Sequence, residues 1–210
     1  TIVVPFLNGV ETIERLRKIL PEENIANGVA KISTTIKAPG VIKQTGEFRT
    51  FIFAECNNHP SDRIQKLQKA ITNAGAIAPE TTDIEKEMWS KFIMFSAISG
   101  ATAAGRCTLG QVTKSPSLSK VFQKIISETT ATARAYGIDL SSSIEQDIWR
   151  RANELPSDVR ASTAVDLEKG LPIEVDWISG AVIRLAKAKG LEAPTNETIH
   201  GLLSPYKSGL

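Results

Sequence analysis

A single cation interrupts a long apolar stretch of this sequence. Between Glu87 and Arg106 the only charged residue is Lys91, set in MWSKFIMFSAISGATAAG. At about 100° per residue it shares a helix face with Met88, Phe95 and Ile98. A lysine held partly out of water has a depressed pKa and can exchange a proton near neutral pH. The same pattern suits a lysine that lays its stem along apolar surface and keeps its amine in water. Periodicity leaves both readings open.

Two acids stand close together in LPIEVDWISGAVIRLAKAKG. Read as the first turn of a helix, this places Glu174 on the stripe of Ile178, Ala181 and Leu185, with Asp176 pointing away. Both acids would complement the helix macrodipole, and Glu174 could also accept hydrogen bonds from a bound polar ligand. Asn8 falls where a strand is expected to end. In open α/β sheets ligands bind beyond the carboxyl ends of strands, although Asn-Gly is equally a turn dipeptide. His59 and His200, the only histidines, have no Ser or Cys motif beside them and read as structural or solvated. Trp89, Trp149 and Trp177 read as core residues of helices.

The elements that must position these groups divide the chain in two. Residues 2–7 have the apolar content of a buried strand ended by Asn8-Gly9, and 11–20 that of a helix stopped by Pro21. Residues 28–36, 41–45 and 49–56 are rich in β-branched and aromatic residues and are punctuated by Pro39-Gly40 and Gly46, as in a meander. An amphipathic helix over 63–73 follows Ser61-Asp62 and closes at Gly75. From Thr82 the β-rich runs disappear. Helices are expected over 84–104, 117–136, 142–152, 159–169, 173–189 (opened by Pro172) and from Asn196 to about 203. The fold class is thus α/β followed by all-α, with domains at 1–81 and 82–210.

Composition sets limits on partners. The chain has 210 residues, 41% hydrophobic and 23% charged, with a formal net charge of +2, which is ample for a packed core. Scattered charges of both signs favour neither nucleic acid nor a membrane surface. No run is long and apolar enough for a membrane span. Cys56 and Cys107 have no metal-ligand spacing, so no metal site and a reduced, cytoplasmic setting are expected. None of the fourteen glycines forms a G-x-G pattern, so the chain contains neither a dinucleotide-binding fingerprint nor a P-loop.

PFLNGVE near the start, W-S-K in the first long helix, STAVDLEKGLPIEVDWISGAVIRLA and GLEAPTNETIHGLL together resemble ketopantoate reductase (2-dehydropantoate 2-reductase) over nearly the whole chain. The last two stretches are the most specific. The resemblance implies a Rossmann-type NADPH-binding domain, of which 1–81 would be the remainder. It also implies a helical substrate-binding and dimerisation domain of the 6-phosphogluconate dehydrogenase C-terminal type over 82–210. Lys91 would be the general acid toward a keto oxygen, with Glu174 assisting, and Asn8 would lie by the nicotinamide. Ser162 and Ser99 would meet the substrate, a small-molecule keto acid, and a homodimer is compatible with the apolar helical surface.

Two positions depart from the family's pattern. Phe95 and Ser99 stand where asparagines are expected four and eight residues after the lysine, which points to a different 2-keto acid or a related carbonyl compound. The absence of the Gly-rich turn implies an N-terminally truncated chain. Two to three βα units of roughly 30 residues would account for the shortfall, and the chain alone would bind NADPH weakly or not at all. The competing expectation, from another class, is a noncatalytic interaction or dimerisation module, or a degenerate paralogue that never had the turn.

Overall fold

The computed structural model describes residues 1–210, which form two compact units, Thr1–Met88 and Trp89–Leu210. In the first, an extended N-terminal segment makes one parallel bridge, Val3 to Ile25, with Val3 N donating to Asn24 O (2.8 Å) and Ala26 N to Val3 O (3.0 Å). The strand expected over 2–7 is therefore reduced to a single pairing. Pro5 has no N–H to continue a ladder, and Ile2, Val4 and Phe6 instead pack on Ala26, Phe53 and Ile64. Helix α1 is likewise shorter than expected, Thr12–Leu16. Beyond it Lys18 N and Ile19 N turn back three residues, to Arg15 O and Leu16 O. With Ile13 its one buried side chain, little tertiary packing supports a longer helix.

The expected meander is one long hairpin, β1 (Ala26–Ala38) paired antiparallel with β2 (Val41–Glu55). Pro39-Gly40 makes its turn, with Gly40 at φ +74°, a conformation that favours glycine at the second central position of a tight turn. Gly46 bends the second strand without ending it. The register runs Ile32 to Arg49 and then Thr34 to Gln44, and the Gln44 side chain closes the intervening bulge by donating to Gly46 O and Phe48 O, each at 3.3 Å. The inner half of the hairpin holds the core. Phe6 meets Phe51 and Phe53 edge-on at 5.2 and 5.9 Å, and helix α2 (Asp62–Asn73) adds Ile64. Ser61 caps α2 by accepting from Ile64 N, and Arg63 grips Glu55 through two nitrogens, at 2.6 and 2.5 Å. That guanidinium holds the Glu55 carboxyl below the usual carboxylate range.

Helix α3 (Ile84–Gly105) gives its first turn to this unit, where Ile84 and Met88 pack on Val29, Ile52 and Ala54. The contact explains why the unit ends after Met88 rather than near 81. The rest of α3 belongs to the helical unit with α4 (Leu109–Lys114), α5 (Pro116–Ala135), α6 (Ile144–Glu154), α7 (Ser162–Glu168), α8 (Ser179–Ala188) and α9 (Pro194–Leu203). Helix α5 packs against α4, α6, α8 and α9, burying Phe122, Ile125 and Ile126. Ser96 of α3 reaches Thr129 of α5 at 3.3 Å. A side chain at Gly100 would press on Ile125 and Ile199, at 3.1 and 3.3 Å. Helix α4 was not expected, yet its capping box, Thr108 with Gln111, is present in the sequence.

Candidate active site

The expected site residues fall in both units, Asn8 in the first and Lys91, Ser99, Ser162 and Glu174 in the second. Asn8 follows the extended segment that bridges Ile25, is half-buried, and precedes Gly9 at φ +93°. Its amide both donates and accepts, as a carboxamide partner requires.

Lys91 lies on α3, half-buried, on a face that stays partly open to solvent while the opposite side is sealed. Its Nζ is 5.7 Å from the ring centre of Phe95, one turn on, a distance at which an ammonium is attracted to the ring. Two turns on, Ser99 is buried, 2% exposed, and its hydroxyl donates to Thr163 Oγ1 at 2.8 Å. Thr102 Oγ1 accepts from Ala161 N at 3.4 Å. Residues 161 and 163 are thus both tied to α3, and Ser162 between them, the first residue of α7, is exposed. Ser99 holds the turn that presents the Ser162 hydroxyl.

The acidic segment is built differently from the expected helix. The backbone breaks at Ile178 (φ −108°, ψ −88°); Glu174 precedes a single 3-10 turn, Val175–Trp177, and α8 begins only at Ser179. Glu174 therefore leaves the Ile178–Ala181–Leu185 stripe. Its neighbours Ile173 and Val175 are buried, and its carbonyl accepts from Trp177 N (2.9 Å) and Ile178 N (3.1 Å), which fixes the backbone under a half-buried carboxylate. Asp176 is far from idle. It meets His200 Nε2 at 2.8 Å and Lys207 Nζ at 3.3 Å, while its backbone carbonyl accepts from Arg184 at 2.8 Å. The bond from His200, aided by Lys207, holds its carboxyl below the usual range. His200 is thus engaged with Asp176, whereas Trp177 is 44% exposed beside Arg184 rather than in the core.

Sequence reasoning missed Thr102, Thr163 and Glu128, and it missed the partners of Asp176. Glu128 accepts from Thr195 N (2.8 Å), Asn196 N (3.0 Å) and Asn196 Nδ2 (2.8 Å), so the A-P-T-N stretch is a helix start clamped to α5. Only Asp176 had a visible signal, its spacing from Glu174. No group of three or more His, Cys, Asp or Glu is arranged to hold a metal ion, and no helix is long and apolar enough to cross a membrane.

Comparison with known proteins agrees with this architecture. A 2-dehydropantoate 2-reductase of Archaeoglobus fulgidus is 27% identical over 209 residues, covering 100% of this chain and 69% of that protein. The uncharacterized oxidoreductase YkpB of Bacillus subtilis is 27% identical over 208 residues, 99% of this chain and 69% of its own. Among solved structures, a PanE/ApbA family ketopantoate reductase from Ralstonia eutropha superposes with a TM-score of 0.87 at 25% identity, over 99% of this chain and 67% of that one. D-mandelate dehydrogenase in complex with NADH gives 0.89 at 21%, over 99% and 70%. A dimeric ketopantoate reductase from Staphylococcus aureus gives 0.85 at 20%, over 99% and 68%. These neighbours share the fold, a Rossmann-like N-terminal part followed by a helical C-terminal domain. Residues 1–57 match the family model for ketopantoate reductase PanE/ApbA, and 83–207 match the model for its C-terminal domain; with well over half its length accounted for, the chain belongs to the ketopantoate reductase family.

Proposed function

We propose that the protein reduces a 2-keto acid to the 2-hydroxy acid, with NADPH as hydride donor and Lys91 as general acid. The observation that carries this reading is the place of Lys91, the one charge on the partly open face of α3 between Glu87 and Arg106, inside the stretch that matches the family's C-terminal domain. An ammonium there stabilises the negative charge that develops on a keto oxygen and then hands over its proton. Lys91 is half-buried, with its Nζ 5.7 Å from the Phe95 ring centre, and the partial burial strengthens its attraction for that oxygen. Glu174, on its fixed backbone, accepts a hydrogen bond from substrate and assists the lysine. Ser162 donates its hydroxyl to the substrate carboxylate, and Ser99 acts on the substrate through Thr163 by holding that turn.

A nicotinamide cofactor supplies hydride to the carbonyl carbon when bound. Asn8, half-buried after the Val3 segment, would meet the carboxamide end of it, since a side-chain amide both donates and accepts. The other end finds no Gly-rich turn in this sequence, so the 210-residue chain alone is expected to hold NADPH weakly or not at all. NADH bound to D-mandelate dehydrogenase supports a nicotinamide cofactor in this fold. Cytoplasmic location and a homodimer formed through the helical unit complete the reading, the latter supported by the dimeric relative.

The test is NADPH oxidation by the full-length protein, followed with and without a series of 2-keto acids, with the hydroxy acid identified. Keto-acid-dependent oxidation, lost in Glu174→Ala with folding intact, is the expected result. Folded protein that leaves NADPH untouched across the series would favour a noncatalytic module.

A further inference from the structure

The face of α3 around Lys91 says what kind of substrate it serves. Over the two turns that follow the lysine, the side chains left partly exposed are Met94, Phe95 and Ile98. The hydroxyls along the same stretch are sealed and engaged. Ser96 is 0% exposed and donates to Ile93 O, and Ser99 donates to Thr163. A group attached to the keto carbon on this side of the ammonium therefore meets the Phe95 ring, whose centre is 5.7 Å from Lys91 Nζ, with a thioether and a branched alkyl beside it.

We infer that the preferred substrate is a 2-keto acid with an apolar substituent, branched aliphatic or aromatic, and that Phe95 is the residue that sets this preference. The inference rests on the reading that Lys91 meets the keto oxygen. Physically it turns on one hydroxyl. The chain of 2-dehydropantoate ends in an alcohol, which loses its water on entering the site and meets the Phe95 ring, which offers it no hydrogen-bond partner. An apolar site rejects such a hydroxylated isostere by a factor of up to about 100, whereas a site built to bond the hydroxyl rejects the analogue lacking it by about 10,000 or more. The two designs thus predict opposite orders for the same pair of compounds.

The pair is 2-dehydropantoate (4-hydroxy-3,3-dimethyl-2-oxobutanoate) and its deoxy analogue 3,3-dimethyl-2-oxobutanoate, with phenylglyoxylate as the aromatic probe. kcat/KM is measured on the full-length protein at saturating NADPH. The expected result is a preference of about 10-fold to 100-fold for the deoxy compound, kept in Phe95→Leu and reversed or abolished in Phe95→Asn. Preference for 2-dehydropantoate in the unsubstituted protein overturns the inference and leaves the reductase reading standing. So does a deoxy preference that Phe95→Asn leaves unchanged. Reduction of none of the three compounds by folded protein, with either NADPH or NADH, overturns the reductase reading and this inference with it.

Discussion

Replacing Glu128 with alanine removes one carboxylate and strands three donors at the start of α9. Thr195 N is half-buried and can turn to water, but Asn196 is 0% exposed, so its N–H and its side-chain amide lose their acceptor where no solvent replaces it. An unsatisfied buried donor costs about 1–3 kcal/mol, which gives about 2–6 kcal/mol for the two and puts Glu128→Ala at about 3 kcal/mol. Glu128→Gln keeps one acceptor oxygen but turns an NH2 toward a donor, and should cost roughly half as much. All three tryptophans, Trp89, Trp149 and Trp177, lie in the helical unit, so their fluorescence reports its unfolding in urea. With an m-value of about 1.5 kcal/mol/M, the alanine variant should unfold at a midpoint about 2 M lower. A loss below about 0.5 kcal/mol would refute the clamp and with it the tie between the A-P-T-N helix start and α5.

Three further outcomes follow from the geometry. Asp176 has a lowered pKa in the folded state, so its contribution to stability is complete above the ordinary carboxylate range and is lost as pH falls below about 3.9. Asp176→Asn should cost about 1 kcal/mol near neutrality and flatten the acid limb of the urea midpoint against pH; an unchanged limb would contradict the pairing with His200 and Lys207. Ser99→Ala removes the bond to Thr163 and should cost about 1 kcal/mol while raising KM for the keto acid more than it lowers kcat; equal KM would mean that the turn carrying Ser162 holds itself. Calorimetric titration of the 210-residue chain with NADPH should give no saturable heat, and tight binding would show that the nucleotide is held without a Gly-rich turn.

Much of the helical unit was legible because its signals are local. Thr82 and Asp83 before an apolar run, and the glycines Gly137 and Gly190 just past the expected ends of 117–136 and 173–189, act within a few residues, and α3, α5 and α9 lie close to where they are expected. The hairpin was misjudged because Gly46 signals a break in isolation, whereas pairing across the sheet turns it into a bulge. The acidic segment was misjudged for a related reason. Helical periodicity carried through residues 173–189 assumed one continuous helix, and the break at Ile178 moved Glu174 off the apolar stripe and aimed Asp176 at His200 and Lys207. Those partners lie 24 and 31 residues downstream, beyond the reach of any local pattern. At Lys91 the residue was evident from sequence, but the partly open apolar face around it was not, since exposure depends on which side of α3 the other helices cover.

Lys91 is proposed to deliver a proton to the keto oxygen. The most direct test of this role is the single-turnover rate of hydride transfer in the full-length protein carrying Lys91→Ala, measured with enzyme, NADPH and the preferred keto acid premixed to saturation. Loss of the general acid should slow this step by about 100-fold to 10,000-fold, with NADPH affinity and the urea midpoint unchanged. A transfer rate equal to that of the unsubstituted protein would contradict the assigned role.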